Sequence, residues 1–143
     1  MTLLTNALID LQCELVAERN MKNPQNISWL QYDILHHLSL KEEQLPSEIS
    51  IALGISRTKL SKALKELKLT GYIIQKPSEK DGRELITSLS DSGKQFLQAI
   101  NLGHQQLSQI ADSIFTEEEK VQFAQLSSKF SNALKSERTG FHE

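Results

Sequence analysis

The sequence has little of what would staple, anchor or arm it. A single cysteine leaves no internal disulfide framework and fits a reducing compartment. Three prolines and six glycines in 143 residues, without repeats or low-complexity stretches, describe an ordered globule. No apolar run nears the ~18–20 residues that cross a bilayer. The first fifteen residues carry Asp10 and Glu14 and no basic lead, so they do not read as a secretory signal. Cys-x-x-Cys, His-Glu-x-x-His, a phosphate-binding Gly-rich loop and Gly-x-Ser-x-Gly are all missing. His36 and His37 are adjacent, so on a helix they point about 100° apart, and His104 and His142 are remote in sequence. The expectation is a cytoplasmic, non-enzymatic chain with no cofactor, no metal and no membrane partner. Net charge is scarce too. Sixteen Lys+Arg against eighteen Asp+Glu give −2, which taken alone disfavours nucleic acid.

What is present is periodicity. Leu4, Leu8, Leu11 and Leu15 form one apolar stripe of a helix over about residues 3–19, with Ile9, Cys13 and Val16 beside it. So wide an apolar arc implies cover from more than one side, and Cys13 on its flank is expected to be a buried, inert thiol. Ser28 caps a second helix through Trp29, Ile34, Leu35 and Leu38. Pro46 opens a short third helix that ends at Gly54, and Ser56 caps the next. Two helices joined by Leu53-Gly54-Ile55-Ser56 have the form of a helix-turn-helix. After Gly71 the period becomes that of strands, 72–76 and 85–89, joined by a polar loop with an Asp81-Gly82 turn signal. Ser90 then caps a single long helix expected to run from Asp91 to Ile114, with Phe96, Ile100, Gly103, Leu107, Ile110 and Ile114 as a heptad-like seam. Thr116 to Glu119 make a capping box for a last helix bearing Phe123, Leu126, Phe130 and Leu134, and the tail after Lys135 reads as frayed.

The charges are not spread evenly. Ile55 to Arg83 holds eight of the sixteen cations and three of the eighteen acids, so the near-neutral total sums two opposed regions. The helix from Arg57 buries Leu60, Ala63, Leu64 and Leu67 and turns its basic residues outward. A duplex is a dense line of phosphates, and reading its bases needs short polar or forked side chains near the start of a narrow helix. Ser56, Arg57, Thr58, Lys59, Ser61, Lys62 and Lys65 are the candidates, with Lys80 for a phosphate.

The order of these features resembles the MarR family of transcriptional regulators. The resemblance rests on Ile27-Ser28 with Gln31 and Ile34-Leu35, Glu48-Ile49 before Leu53-Gly54-Ile55-Ser56, and Gly71-Tyr72-Ile73. Asp81-Gly82-Arg83 then matches the wing motif Asp-x-Arg, and Leu89-Ser90 with Gly93 the segment after it. Gly82 stands where the family often has Arg, leaving one fewer wing cation, and Ser50 stands where a small apolar residue is usual. The resemblance implies a mainly α fold with a small β-hairpin wing: a winged helix-turn-helix core over 27–90, flanked by dimerisation helices in 1–26 and 91–143. It implies Arg83 in the minor groove, oriented by Asp81, and a homodimeric repressor on a pseudo-palindromic operator in double-stranded DNA. It further implies a small aromatic effector, for which Trp29, Tyr32 and Tyr72 are candidate pocket residues. Two other readings stay open at this point: a winged-helix module whose basic face binds an acidic protein, and a regulator controlled by oxidation of Cys13.

Overall fold

A computed structural model describes residues 2–22, 24, 26–80 and 82–140. Its elements are α1 Leu3–Met21, α2 Trp29–Leu40, α3 Pro46–Leu53, α4 Arg57–Leu69, β1 Ile73–Pro77, β2 Leu85–Leu89, α5 Asp91–Gly103, α6 Gln105–Ile114 and α7 Glu117–Gly140. The fold is mainly helical with a small hairpin wing, as expected.

The helix starts sit where local chemistry puts them. Ser28 accepts from the Gln31 backbone N–H at 3.1 Å while Gln31 Oε1 accepts from the Ser28 N–H at 2.9 Å, a closed capping box. Thr116 and Glu119 close a second box at the start of α7. Gly54, at φ 67° and ψ 36°, takes the left-handed conformation that ends α3 and turns the chain into α4. β1 and β2 pair antiparallel from Ile73↔Leu89 to Pro77↔Leu85. A further bridge joins Gln44, ahead of α3, to Thr87 through two backbone hydrogen bonds of 3.0 and 2.7 Å.

The core gathers Ile34, Leu35 and Leu38 of α2, Ile49 of α3, Leu60, Leu64 and Leu67 of α4, Ile73 and Leu89 of the hairpin, and Leu97 and Ile100 of α5. Beyond it the packing thins. Among the described residues α1, α6 and α7 bury none of their own side chains. Leu4, Leu11, Leu15, Leu107, Ile110, Ile114, Phe123, Leu126, Phe130 and Leu134 all stand exposed. The chain exposes 10457 Å², against about 7,500 Å² for a compact monomer of its size.

Three expectations need correction. The helix expected over 91–114 is two: at His104 the backbone bonds tighten to three-residue steps, His104 N–H to the Asn101 carbonyl at 3.0 Å and Leu107 N–H to the His104 carbonyl at 3.2 Å. A seam of apolar positions shows which face is shared but not whether the backbone is continuous. The tail is not frayed after Lys135, because α7 continues to Gly140. Cys13 is exposed rather than buried, because the single chain leaves its flank of α1 uncovered. Asp81 and His142 lie outside the described residues, and with them the Asp81-Gly82 turn.

Candidate nucleic-acid interface

α4 presents two different faces. Leu60, Ala63, Leu64 and Leu67 are buried, whereas Thr58, Lys59, Ser61, Lys62, Lys65 and Lys68 are exposed. Ser56 spends its hydroxyl on the cap, accepting from the Lys59 N–H at 3.2 Å, which fixes the direction in which α4 leaves the turn. The single acid of α4, Glu66, is drawn off by α2: Gln31 Nε2 donates to its carboxylate at 2.6 Å. Its charge is thereby directed to α2 rather than left among the exposed lysines of α4.

Glu84 was not legible as a site residue, and it joins the parts. Its carboxylate, with the side chain only 19% exposed, accepts from the Ser47 N–H and hydroxyl at 3.2 Å each and pairs with Arg57 at 3.3 Å. The loop end of the wing's strands is thereby tied to the first turns of both α3 and α4, and a carboxylate sits at the positive end of the α3 dipole. Arg57 is held to the wing by this pair. Arg83, adjacent to Glu84 in the chain, is exposed, as is Lys80. Nothing in the spacing of residues 47, 57 and 84 signals that they meet.

The candidate pocket residues separate. Trp29 and Tyr32 line a cavity of about 560 Å³ between α1, α2, α5 and α6, with Arg19, Asp33, His36 and His104. Tyr72 does not: it stacks on Phe96 at 4.3 Å, where the wing meets α5. Aromatic character alone does not tell a cavity wall from a packing contact. Arg19 grips Asp33 with two hydrogen bonds of 3.0 and 2.7 Å and lies over the Trp29 ring at 4.6 Å. Its guanidinium pKa is raised, first by the hydrogen bond to Asp33. The Tyr32 hydroxyl donates to Asn101 Oδ1 at 2.7 Å and lies 3.3 Å from His104 Nδ1. Burial, then the charge of Asp33, raises the phenol above its ordinary value and keeps it neutral. The cavity thus pairs aromatic walls with a charged rim in which Arg19 and Lys22 stand beside Glu18 and Asp33. Among the described residues no three His, Cys, Asp or Glu side chains are placed to hold a metal ion.

His104 is lowered by burial first and then by Arg19, His36 and Lys22; His37 is lowered by burial and then by Lys135. A histidine whose folded value lies below its unfolded one adds stability above the unfolded value, and loses it as pH falls through the folded value. Urea-unfolding free energy is therefore expected to fall as pH drops below about 6.5, and H104Q with H37Q to flatten that slope. An unchanged slope in the double variant would contradict the assignment.

Comparison with known proteins agrees with this architecture. Residues 25–84 match the MarR family model. The transcriptional repressor MprA of Escherichia coli K12 is 33% identical over 136 residues, covering 92% of this chain and 77% of that protein. Streptococcus pneumoniae FabT, solved in complex with DNA, superposes with a TM-score of 0.68 at 18% identity, over 93% of this chain and 96% of its own. PcaV of Streptomyces coelicolor, solved with its natural ligand, gives 0.67 at 17% identity, over 93% and 94%.

Proposed function

The chain belongs to the MarR family of transcriptional regulators, and we propose that it is a homodimeric repressor that reads a pseudo-palindromic operator with α4 and the wing. The observation that carries this is the division of α4. Five cations and the short polar Thr58 and Ser61 lie on it outside the core, while its one acid is held by Gln31. Thr58, Lys59, Ser61 and Lys62 reach base edges and the nearest phosphates; Lys65 and Lys80 contact phosphates, and Arg83 enters the minor groove. Ser56 and Arg57 set the helix start, and Asp81 is assigned to orient Arg83.

Residues 27–90 form the reading head, and 1–26 with 91–143 form the pairing helices. Support for pairing is the surface left over. The chain exposes about 3,000 Å² more than a compact monomer would, most of its exposed large apolar side chains lie on α1, α6 and α7, and a stable obligate interface covers an area of that order. A two-fold pair sets its recognition helices one DNA turn, about 34 Å, apart. The cavity bounded by α1, α2, α5 and α6 lies between these two parts. A small aromatic effector seated on Trp29 and Tyr32 releases the operator if it binds one spacing of the heads better than the other.

The test is a gel-shift titration on duplexes enriched from a random pool, repeated across ionic strength. Affinity is expected to fall about a thousandfold between about 50 and 200 mM salt. Binding without salt dependence, or no enrichment at all, would instead favour an acidic protein partner for the same basic face.

A further inference from the structure

A helix leaves its last four carbonyls without partners inside itself. At the end of α3 the turn supplies two of them: the Ile55 N–H donates to the Ser50 carbonyl at 3.0 Å, and the Gly54 N–H to that of Ile51 at 3.2 Å. The Ala52 carbonyl receives a different donor. Arg138 Nε, 86 residues away and near the end of α7, donates to it at 2.8 Å. The Arg138 stem also crosses the turn itself, its Cδ lying 3.9 Å from where a Cβ on Gly54 would stand. The guanidinium so placed faces the negative end of the α3 dipole, as Glu84 faces the positive end.

We propose that Arg138 is a positioning residue for DNA reading: by capping α3 it fixes the turn through Gly54 and hence the direction of α4 relative to α7. The proposal rests on the operator-binding function above and adds a physical link to it. α7 places no side chain in the core among the described residues, yet it is one of the helices offered to a second copy. A shift in how two copies pair reaches α4 through this cap.

The experiment compares wild-type, R138Q and R138K proteins. The probes are one duplex enriched from a random pool by the wild-type protein and one unselected duplex of equal length, each titrated at several salt concentrations. Amide hydrogen exchange at Gly54 and Ile55 is followed in the free protein. R138Q is expected to lose about tenfold in affinity for the enriched duplex and little for the unselected one. Its salt slope should be unchanged, its melting temperature close to wild type, and exchange at Gly54 and Ile55 about tenfold faster. R138K, which keeps a cation and a donor of similar reach, is expected to restore most of the affinity.

A salt slope reduced by about one would make Arg138 a direct phosphate contact instead and overturn the proposal. Equal losses on both duplexes with a lower melting temperature would reduce it to a structural role and overturn it as well. Unchanged exchange and affinity in R138Q would do the same. Failure of the wild-type protein to enrich any duplex would refute operator binding, and the exchange comparison would still decide whether Arg138 holds the turn.

Discussion

A chain carrying both Lys62→Glu and Arg83→Glu is expected to lose operator binding while remaining folded and paired. Lys62 lies one helical turn beyond Thr58 on the exposed side of α4, and Arg83 is exposed on the wing. In a dimer the two substitutions invert four charges. Each lost phosphate contact removes nearly one released counterion from the binding equilibrium. Lost contacts at both Lys62 and both Arg83 sites, with carboxylates now facing phosphates and the minor groove, weaken binding by about a thousandfold or more near physiological salt. Neither residue belongs to the core, so the stability change should stay within about 1 kcal/mol. Gel shift measures the first effect; circular dichroism and sedimentation check the second. Wild-type affinity in the double variant would move the DNA surface off α4 and the wing altogether.

The largest effect on folding is expected at Gly93. It lies in the first turn of α5, where its N–H donates to the Ser90 hydroxyl at 3.0 Å. Ser90 in turn donates from its hydroxyl to the Gly71 carbonyl at 2.5 Å and from its backbone to the Tyr72 carbonyl at 3.1 Å. A Cβ at Gly93 would fall inside the van der Waals envelope of that same Tyr72 carbonyl, which is backbone and cannot swing aside. α5 would have to lift away from the wing, pulling apart the Ser90 contacts and the Tyr72–Phe96 stack. G93A is therefore expected to cost about 3 kcal/mol or more, and about 10 °C in melting temperature. G82A is the control. Gly82 meets nothing within 4 Å, and its substitution should be close to neutral. Equal melting temperatures for the two variants would contradict the close approach of α5 to the wing.

Much of the fold was legible because its signals act over three or four residues. Ser28, Ser56, Ser90 and Thr116 each cap the helix that follows them, and Pro46 and Gly54 bound α3. The basic face of α4 was legible for the same reason, once charge was counted by position. What failed was whatever depended on distant partners. Glu84 joins residues 37 positions apart, Arg138 reaches back 86, and Arg19 finds Asp33 across a loop. No periodicity encodes such meetings. The continuation of α7 past Lys135 is of the same kind, since a polar sequence reads as frayed unless the acceptor of Arg138 is known. Cys13 and Tyr72 show a further limit: an apolar neighbourhood in sequence says that a face will be covered, not by what.

The bridge between Gln44 and Thr87 bears on how such a regulator diversifies. A two-stranded hairpin alone is marginal in water, but here a third segment pairs with the middle of β2, and Thr87 is completely buried there. Ile73 and Leu89, paired at the end away from the loop, belong to the core. The wing's stability is thus set along its paired strands, while exposed positions in its loop, such as Lys80 and Gly82, carry little of it. Descendant sequences are free to try new side chains in that loop, and so new operators, while the strands keep the wing folded.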